Sequence, residues 1–143
     1  SPYGYSILEE VTKTVTTLAA GAGTDPYVQI LNIVSDADIF LEDVSVYALD
    51  AVAPSNTNFL TIKVASFPAG NPAGTEVTHV SVTTKADSLN GIAADGIEVA
   101  TISTPVVSSN PTRVLALQVL RSTDHADVSG RLLGIRVRYR RKA

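Results

Sequence analysis

Leu60, Ile62 and Val64 occupy every second position, with Thr61 and Lys63 between them. Val44, Val46 and Ala48 alternate in the same way around Ser45 and Tyr47, and Leu133, Ile135, Val137 and Tyr139 around Gly134, Arg136 and Arg138. Leu115, Leu117 and Val119 keep the period, with Ala116, Gln118 and Leu120 between. A period of two over such runs is the mark of strands with one buried face. The residues at these positions are rich in Val, Ile and Thr, which suit a pleated surface.

Turn-forming residues punctuate the runs. They fall at 21–26, Pro54-Ser55-Asn56, 68–74, Asn90-Gly91, Asp95-Gly96, Ser108-Ser109-Asn110-Pro111 and Ser129-Gly130. Each supplies positive φ, a fixed φ or local side-chain hydrogen bonds. The segments between them predict strands near 7–18, 27–35, 38–49, 58–66, 76–83, 97–103, 112–121 and 131–140. One helical turn fits between Lys85 and Ala94, and no helix is long enough for a parallel crossover. The pattern therefore predicts an all-β fold: an antiparallel, jelly-roll-like β-sandwich of about eight strands. Residues 1–6 read as a short N-terminal arm and 7–143 as a single sandwich domain.

Composition refines this picture. A chain of 143 residues sits within the size of one domain that needs no metal or disulfide to fold. It has no cysteine, which excludes disulfides and thiolate sites, and no methionine. Ser1 reads as the residue left after an initiator methionine is removed. No run approaches ~18 apolar residues, so no membrane span is expected, and the N-terminus lacks a signal-peptide pattern. Charged residues are 17% of the chain, against roughly 25% in typical soluble domains. A surface this poor in charge suggests cover by partners.

The net charge of −3 hides an asymmetry. All 14 acidic residues lie between Glu9 and Asp127, whereas Arg131, Arg136, Arg138, Arg140, Arg141 and Lys142 crowd the C-terminal end. Arg136, Arg138 and Arg140 share one face of the last strand because side chains alternate. Three readings follow. The arginines pair with acidic groups of their own domain; they dock an acidic neighbour through guanidinium–carboxylate forks; or they contact phosphates of a nucleic acid. The acidity of the remaining chain and the lack of interleaved aromatics argue against nucleic acid. Tyr3 and Tyr5 on the arm suit anchoring in a partner, since tyrosine buries much area at modest entropic cost.

Catalytic signals are sparse. His79 reads as a solvated or sheet-face side chain, and His125 as part of a polar loop with Asp124 and Asp127. Asp36, Asp38, Glu42 and Asp43 offer the oxygen ligands calcium prefers, but Ile39, Phe40 and Leu41 interrupt them and no EF-hand loop is present. There is no GxSxG, HExxH, phosphate loop or dinucleotide fingerprint. No catalytic, cofactor or metal residue is assigned, and the chain is expected not to be an enzyme.

The C-terminal hairpin runs Val114-Leu115-Ala116-Leu117-Gln118-Val119-Leu120-Arg121, a loop bearing Asp124 and Asp127, then Gly130-Arg131-Leu132-Leu133-Gly134-Ile135-Arg136-Val137-Arg138-Tyr139. It resembles the end of small β-sandwich virion proteins of tailed bacteriophages. The resemblance implies a capsid decoration (cement) protein or related head or tail component, often trimeric, which clamps major capsid protein subunits on the virion surface after synthesis in the host cytoplasm. It carries no catalytic residue. On this expectation Tyr3, Tyr5, Arg136, Arg138, Arg140 and Arg141 bind the partner. A carbohydrate-binding or adhesin-like module, such as a tail or fibre component, is the alternative.

Overall fold

The computed structural model describes residues 4, 7–15, 23–24, 26–33, 37–71, 74–94, 96–122 and 133–142. Ten strands follow in order: β1 (Glu9–Val15), β2 (Gly23–Thr24), β3 (Val28–Ile33), β4 (Ile39–Ala48), β5 (Leu60–Pro68), β6 (Val77–Thr83), β7 (Ile97–Ala100), β8 (Val106–Val107), β9 (Arg113–Arg121) and β10 (Leu133–Arg141). Each of the eight expected strands is present. The additional β2 and β8 have two residues each, too short to leave a period in the sequence.

All strand pairs are antiparallel, and they build two sheets. The first has the order β1-β10-β4-β7, with β8 also on β4; the second has β2-β9-β5-β6, with β3 also on β9. Among the eight longer strands, first pairs with last and so inward: β1 with β10, β3 with β9, β4 with β7, β5 with β6. This is the arrangement of a chain doubled back at the β5–β6 hairpin and wrapped so that β10 meets β4 and β9 meets β5. It is the double-sheet jelly roll, which limits exposed sheet edges without closing a barrel.

The core lies between the sheets. Leu41, Val44 and Val46 of β4 and Ile135 and Val137 of β10 face Leu60, Ile62 and Val64 of β5 and Leu115, Leu117 and Val119 of β9. A smaller cluster of Ala65, Phe67 and Ala116 forms on the outside of the second sheet, where Tyr27 meets Phe67 edge-on at 4.8 Å.

Two expectations change in detail. The strand expected at 97–103 stops at Ala100, because Ser103 N instead donates to His79 O at 2.9 Å. The helical turn expected within 85–94 is a hydrogen-bonded turn, Ser88 N to Lys85 O, followed by Asn90 and Gly91 at φ 57° and 80°. That positive-φ pair delivers Ile92 to Val52, with which it exchanges two backbone hydrogen bonds of 2.8 Å. Gly91 has to be glycine here, since a Cβ would strike Val52 O.

Candidate interaction surface

The basic strand lies inside its sheet. β10 runs between β1 and β4, so its backbone is already paired on both sides. Arg138 stands opposite Glu10 on one side and Asp43 on the other, while Arg140 stands opposite Phe40. A register shift at Arg138/Tyr139 leaves Glu42 as an extra residue on β4. Leu41 and Val44 both turn inward, so the bulge presents Glu42 and Asp43 together on the outer side. Arg138 Nε donates to Glu10 Oε1 at 3.1 Å, Arg140 Nε to Glu42 Oε1 at 2.8 Å and Arg141 Nε to Glu9 Oε2 at 2.9 Å. Arg136 lies 3.6 Å from both Glu10 and Asp43. Of the three readings of the charge split, this geometry is that of arginines paired within their own domain. Pairs this exposed stabilise by roughly 0–1 kcal/mol each.

The same outer face becomes apolar toward β7. Gly134 opposes Tyr47 across the β10–β4 pair and Thr14 across the β1–β10 pair. The Tyr47 ring lies over Gly134, and a Cβ there would fall among the ring atoms. The Tyr47 hydroxyl ends 3.5 Å from Thr14 Oγ1, so one side chain spans three strands. Beside it opens a groove of about 540 Å³, lined in part by Tyr47, Leu49, Ile97, Leu133, Gly134 and Arg136. Its lining is unusually apolar for a surface, with Leu49 59% and Ile97 51% exposed, and Val99, further along β7, is 67% exposed. Among the described residues, no strand pairs with the outer side of β7. Ile97 and Val99 share the outer phase of β7, while Glu98 takes the phase of the buried Val46 opposite it. An inward-phased charge on a short edge strand discourages indiscriminate strand addition.

At the far end of the sheet, Ile7 is 80% exposed just before β1, and Leu8 next to it is also exposed. Glu9 opposes Tyr139, whereas the groove lies near Thr14 and Gly134. Ile7 and Leu8 thus lead into β1 at the end of the strand remote from the groove. Tyr3 and Tyr5 lie outside the described residues, as does the Asp124-His125-Asp127 loop.

Of the acidic stretch near β4, Asp36 lies outside the described residues and Asp38, Glu42 and Asp43 are dispersed. Asp38 Oδ1 accepts from Ser109 N at 2.8 Å and Ser109 Oγ at 2.9 Å, which ties the start of β4 to the β8–β9 turn. These hydrogen bonds, first the backbone one, hold its carboxyl below the usual range. Ser45 Oγ donates to Asp43 at 2.7 Å, and Glu42 serves Arg140. Among the described residues, no group of three or more His, Asp or Glu converges to hold a metal.

His79 is a sheet-face residue, but on the buried side, with 0% exposure. A register shift of β6 against β5 occurs at this point, between Val64 and Ala65. Nδ1 donates to Thr104 O at 2.8 Å, and Nε2 accepts from Ser66 Oγ at 2.8 Å. Burial, and secondarily the nearby Arg113 guanidinium, push the imidazole pKa below its ordinary 6.5, against the pull of the Thr104 bond. Ser66, His79 and a carbonyl have the connectivity of a nucleophile with an oriented base. Ser66 and His79 are both sealed from solvent, so the array acts here as a satisfied polar network.

The alternation did not reveal the groove. Its rim residues are ordinary apolar positions of strands, and a period of two does not state which phase faces out. A signal was present in Ile97-Glu98-Val99: one face must carry the glutamate and the other the two apolar side chains. His79 gave no signal in sequence, since Ser66, Thr104 and Arg113 approach it only through folding.

No family model matches the sequence, and no curated protein matches it. Among solved structures, a chain in "Structure of infectious bursal disease virus Gx strain" is similar, with a TM-score of 0.42 and 10% identity. The match covers 96% of this chain and 32% of that one, so the present chain spans about a third of that chain's length.

Proposed function

We propose that this chain is a non-enzymatic virion structural protein that binds the outer surface of a capsid and stabilises the shell by bridging neighbouring subunits. The observation that carries the reading is the exposed apolar side chains at the β7 edge, Leu49 and Ile97 lining the groove and Val99 on the same outer phase of β7. Contiguous exposed apolar surface on a small domain marks an interaction site. The jelly-roll strand order is compatible with it, as this architecture serves viral shells as well as lectins and cupins. Fold alone does not choose among these, so the surface has to. The likeness of the C-terminal hairpin to tailed-phage virion proteins supports the same choice.

On this reading the protein bridges through two contacts at opposite ends of the first sheet. The arm, with Tyr3 and Tyr5, reaches one capsid subunit with the exposed Ile7 beside it, and the groove beside Arg136 receives another. Arg138 and Arg140 keep the outer face ion-paired, Arg141 ends the strand on the phase of Tyr139, and the exposed edges of all three meet the partner at the arm's end of the sheet. A trimer of this chain on the shell is part of the proposal.

The test is co-sedimentation with empty shells of the virus that encodes the protein. Ile97→Asp with Val99→Asp, and separately deletion of residues 1–6, should each abolish binding while leaving the chain folded, with a melting temperature close to that of wild type. Full binding by both variants would overturn the proposal. A glycan screen that found a specific ligand would favour the carbohydrate-binding alternative.

A further inference from the structure

Most of the hydrogen bonds that hold down the segment between β7 and β8 go to one residue. Ser103 N and Ser103 Oγ both donate to His79 O, at 2.9 and 3.1 Å, and Thr104 O accepts from His79 Nδ1. The next anchor is Leu41 N to Pro105 O at 2.8 Å. This crossover links the two short edge strands of the first sheet to β6 at the edge of the second. Ile102 beneath it packs against the core. His79 therefore grips the crossover with both its ring and its carbonyl, and the crossover covers His79.

Apart from the Thr104 carbonyl, which would also accept from a charged ring, the surroundings disfavour an imidazolium. Arg113 from β9 is itself buried, its Nη1 donating to Ser66 O at 3.2 Å and Thr75 O at 3.1 Å. Among the described residues no carboxylate pairs with Arg113 or His79. β5 presents Ser66, and residues 101–105 contain no titratable group. Lys63 of β5 and Glu76 ahead of β6 pair with each other, and Glu42 and Asp43 of β4 are taken by Arg140 and Arg136. A proton on Nε2 would place a second buried cation near Arg113 and would require the Ser66 hydroxyl to turn from donor to acceptor.

We infer that His79 is an acid-released latch: its protonation frees the 101–105 crossover and so loosens β7 and β8, the edge that carries Ile97, Val99 and Val106. The charged ring gains water only by displacing the segment that covers it, and in doing so it lets go of that segment's hydrogen bonds. The depressed imidazole pKa has the matching direction. Its consequence for docking, release of a partner at mildly acidic pH, rests on the function proposed above; the latch itself does not.

Hydrogen exchange on the isolated chain tests the latch without any partner. After correction for the intrinsic effect of pH, protection in peptides spanning 97–107 should fall about tenfold or more between pH 7.5 and 5, while β5 and β9 keep theirs. His79→Gln retains a donor and an acceptor but does not titrate, and should show no selective fall; His125→Gln should behave as wild type. Equal protection at both pH values in the wild type, or the same fall in His79→Gln, would overturn the latch. If His79→Gln does not fold, an NMR titration of the wild type decides. The His79 ring and the 101–105 amides should then shift with one midpoint above the pH of global unfolding, and independent midpoints would overturn it. Loss of shell binding in the Ile97→Asp/Val99→Asp variant bears on the docking surface alone.

Discussion

The outer face of the first sheet holds two regions a few strands apart that handle exposure in opposite ways. Its centre, β10 between β1 and β4, concentrates charge, and every arginine there meets a carboxylate of a neighbouring strand. Its β7 edge carries almost no charge outward, yet shows Ile97 and Val99 to solvent. The centre has the density of charge that draws attention in the sequence, but much of its bonding capacity is used internally. The edge is inconspicuous in the sequence and has apolar area left over. Unsatisfied surface, rather than charge as such, is what a partner can exploit, since burial contributes roughly 25 cal/mol per Å² of apolar area. A solvated ion pair brings little net gain.

The seam between the regions gives the sharpest way to break the contrast. Gly134→Val should displace the Tyr47 ring, spoil the groove and destabilise the fold by about 1–3 kcal/mol through overpacking. Thermal melts check this, and pairing it with Tyr47→Ala should give less than the sum of the single effects, because the two positions share one space.

Asp38 sharpens the contrast at the edge, where it pins the turn after β8 to β4. Asp38→Ala should cost about 1–2 kcal/mol, since hydrogen bonds to a charged group are worth roughly 1.5–3 kcal/mol and water recovers part of that at a partly exposed site. Its carboxyl pKa is depressed on folding, so its contribution is fully present above the ordinary 3.8 and is lost as pH falls through the lower folded value. Acid denaturation of Asp38→Ala should therefore show a shallower loss of stability below that pH than wild type.

Single removals in the charged centre should matter less. Arg138→Gln or Arg140→Gln should change stability by at most about 1 kcal/mol, and the difference should shrink in high salt. A larger, salt-independent loss would show that the ladder acts as one buried network. Smallest of all on the fold is Ile97→Asp with Val99→Asp, within about 0.5 kcal/mol for each exposed substitution. Denaturant midpoints check it, alongside the loss of shell binding that the proposed function requires.

Much of the architecture was legible in the chain. The alternation at 44–48, 60–64, 115–119 and 133–139 gave strands that the structure places in the middle of both sheets, where one face is buried and the period is cleanest. Legibility fell off at the edges. Residues 97–103 carry apolar side chains too, but the strand ends after Ala100 because the backbone of Ser103 finds a better partner in His79. The charge split was equally plain, and Arg136, Arg138 and Arg140 do line up, while Arg141 takes the phase of Tyr139 and lies over its ring at 5.6 Å. Their acceptors, Glu9, Glu10, Glu42 and Asp43, could not be assigned in advance, because they come from strands about a hundred residues or more away.

By itself, then, the sequence determined the all-β class, the approximate strands and a basic last strand, because side-chain period and local turn chemistry are properties of neighbours along the chain. Tertiary structure alone decided that this strand sits at the centre of its sheet, that a bulge at Glu42 supplies its counter-charges, and that Ile97 and Val99 point outward. It also brought Ser66, His79, Thr104 and Arg113 into one buried cluster. Each of these depends on register and on which strand lies beside which, and the doubled-back jelly roll sets both by joining segments far apart in the chain.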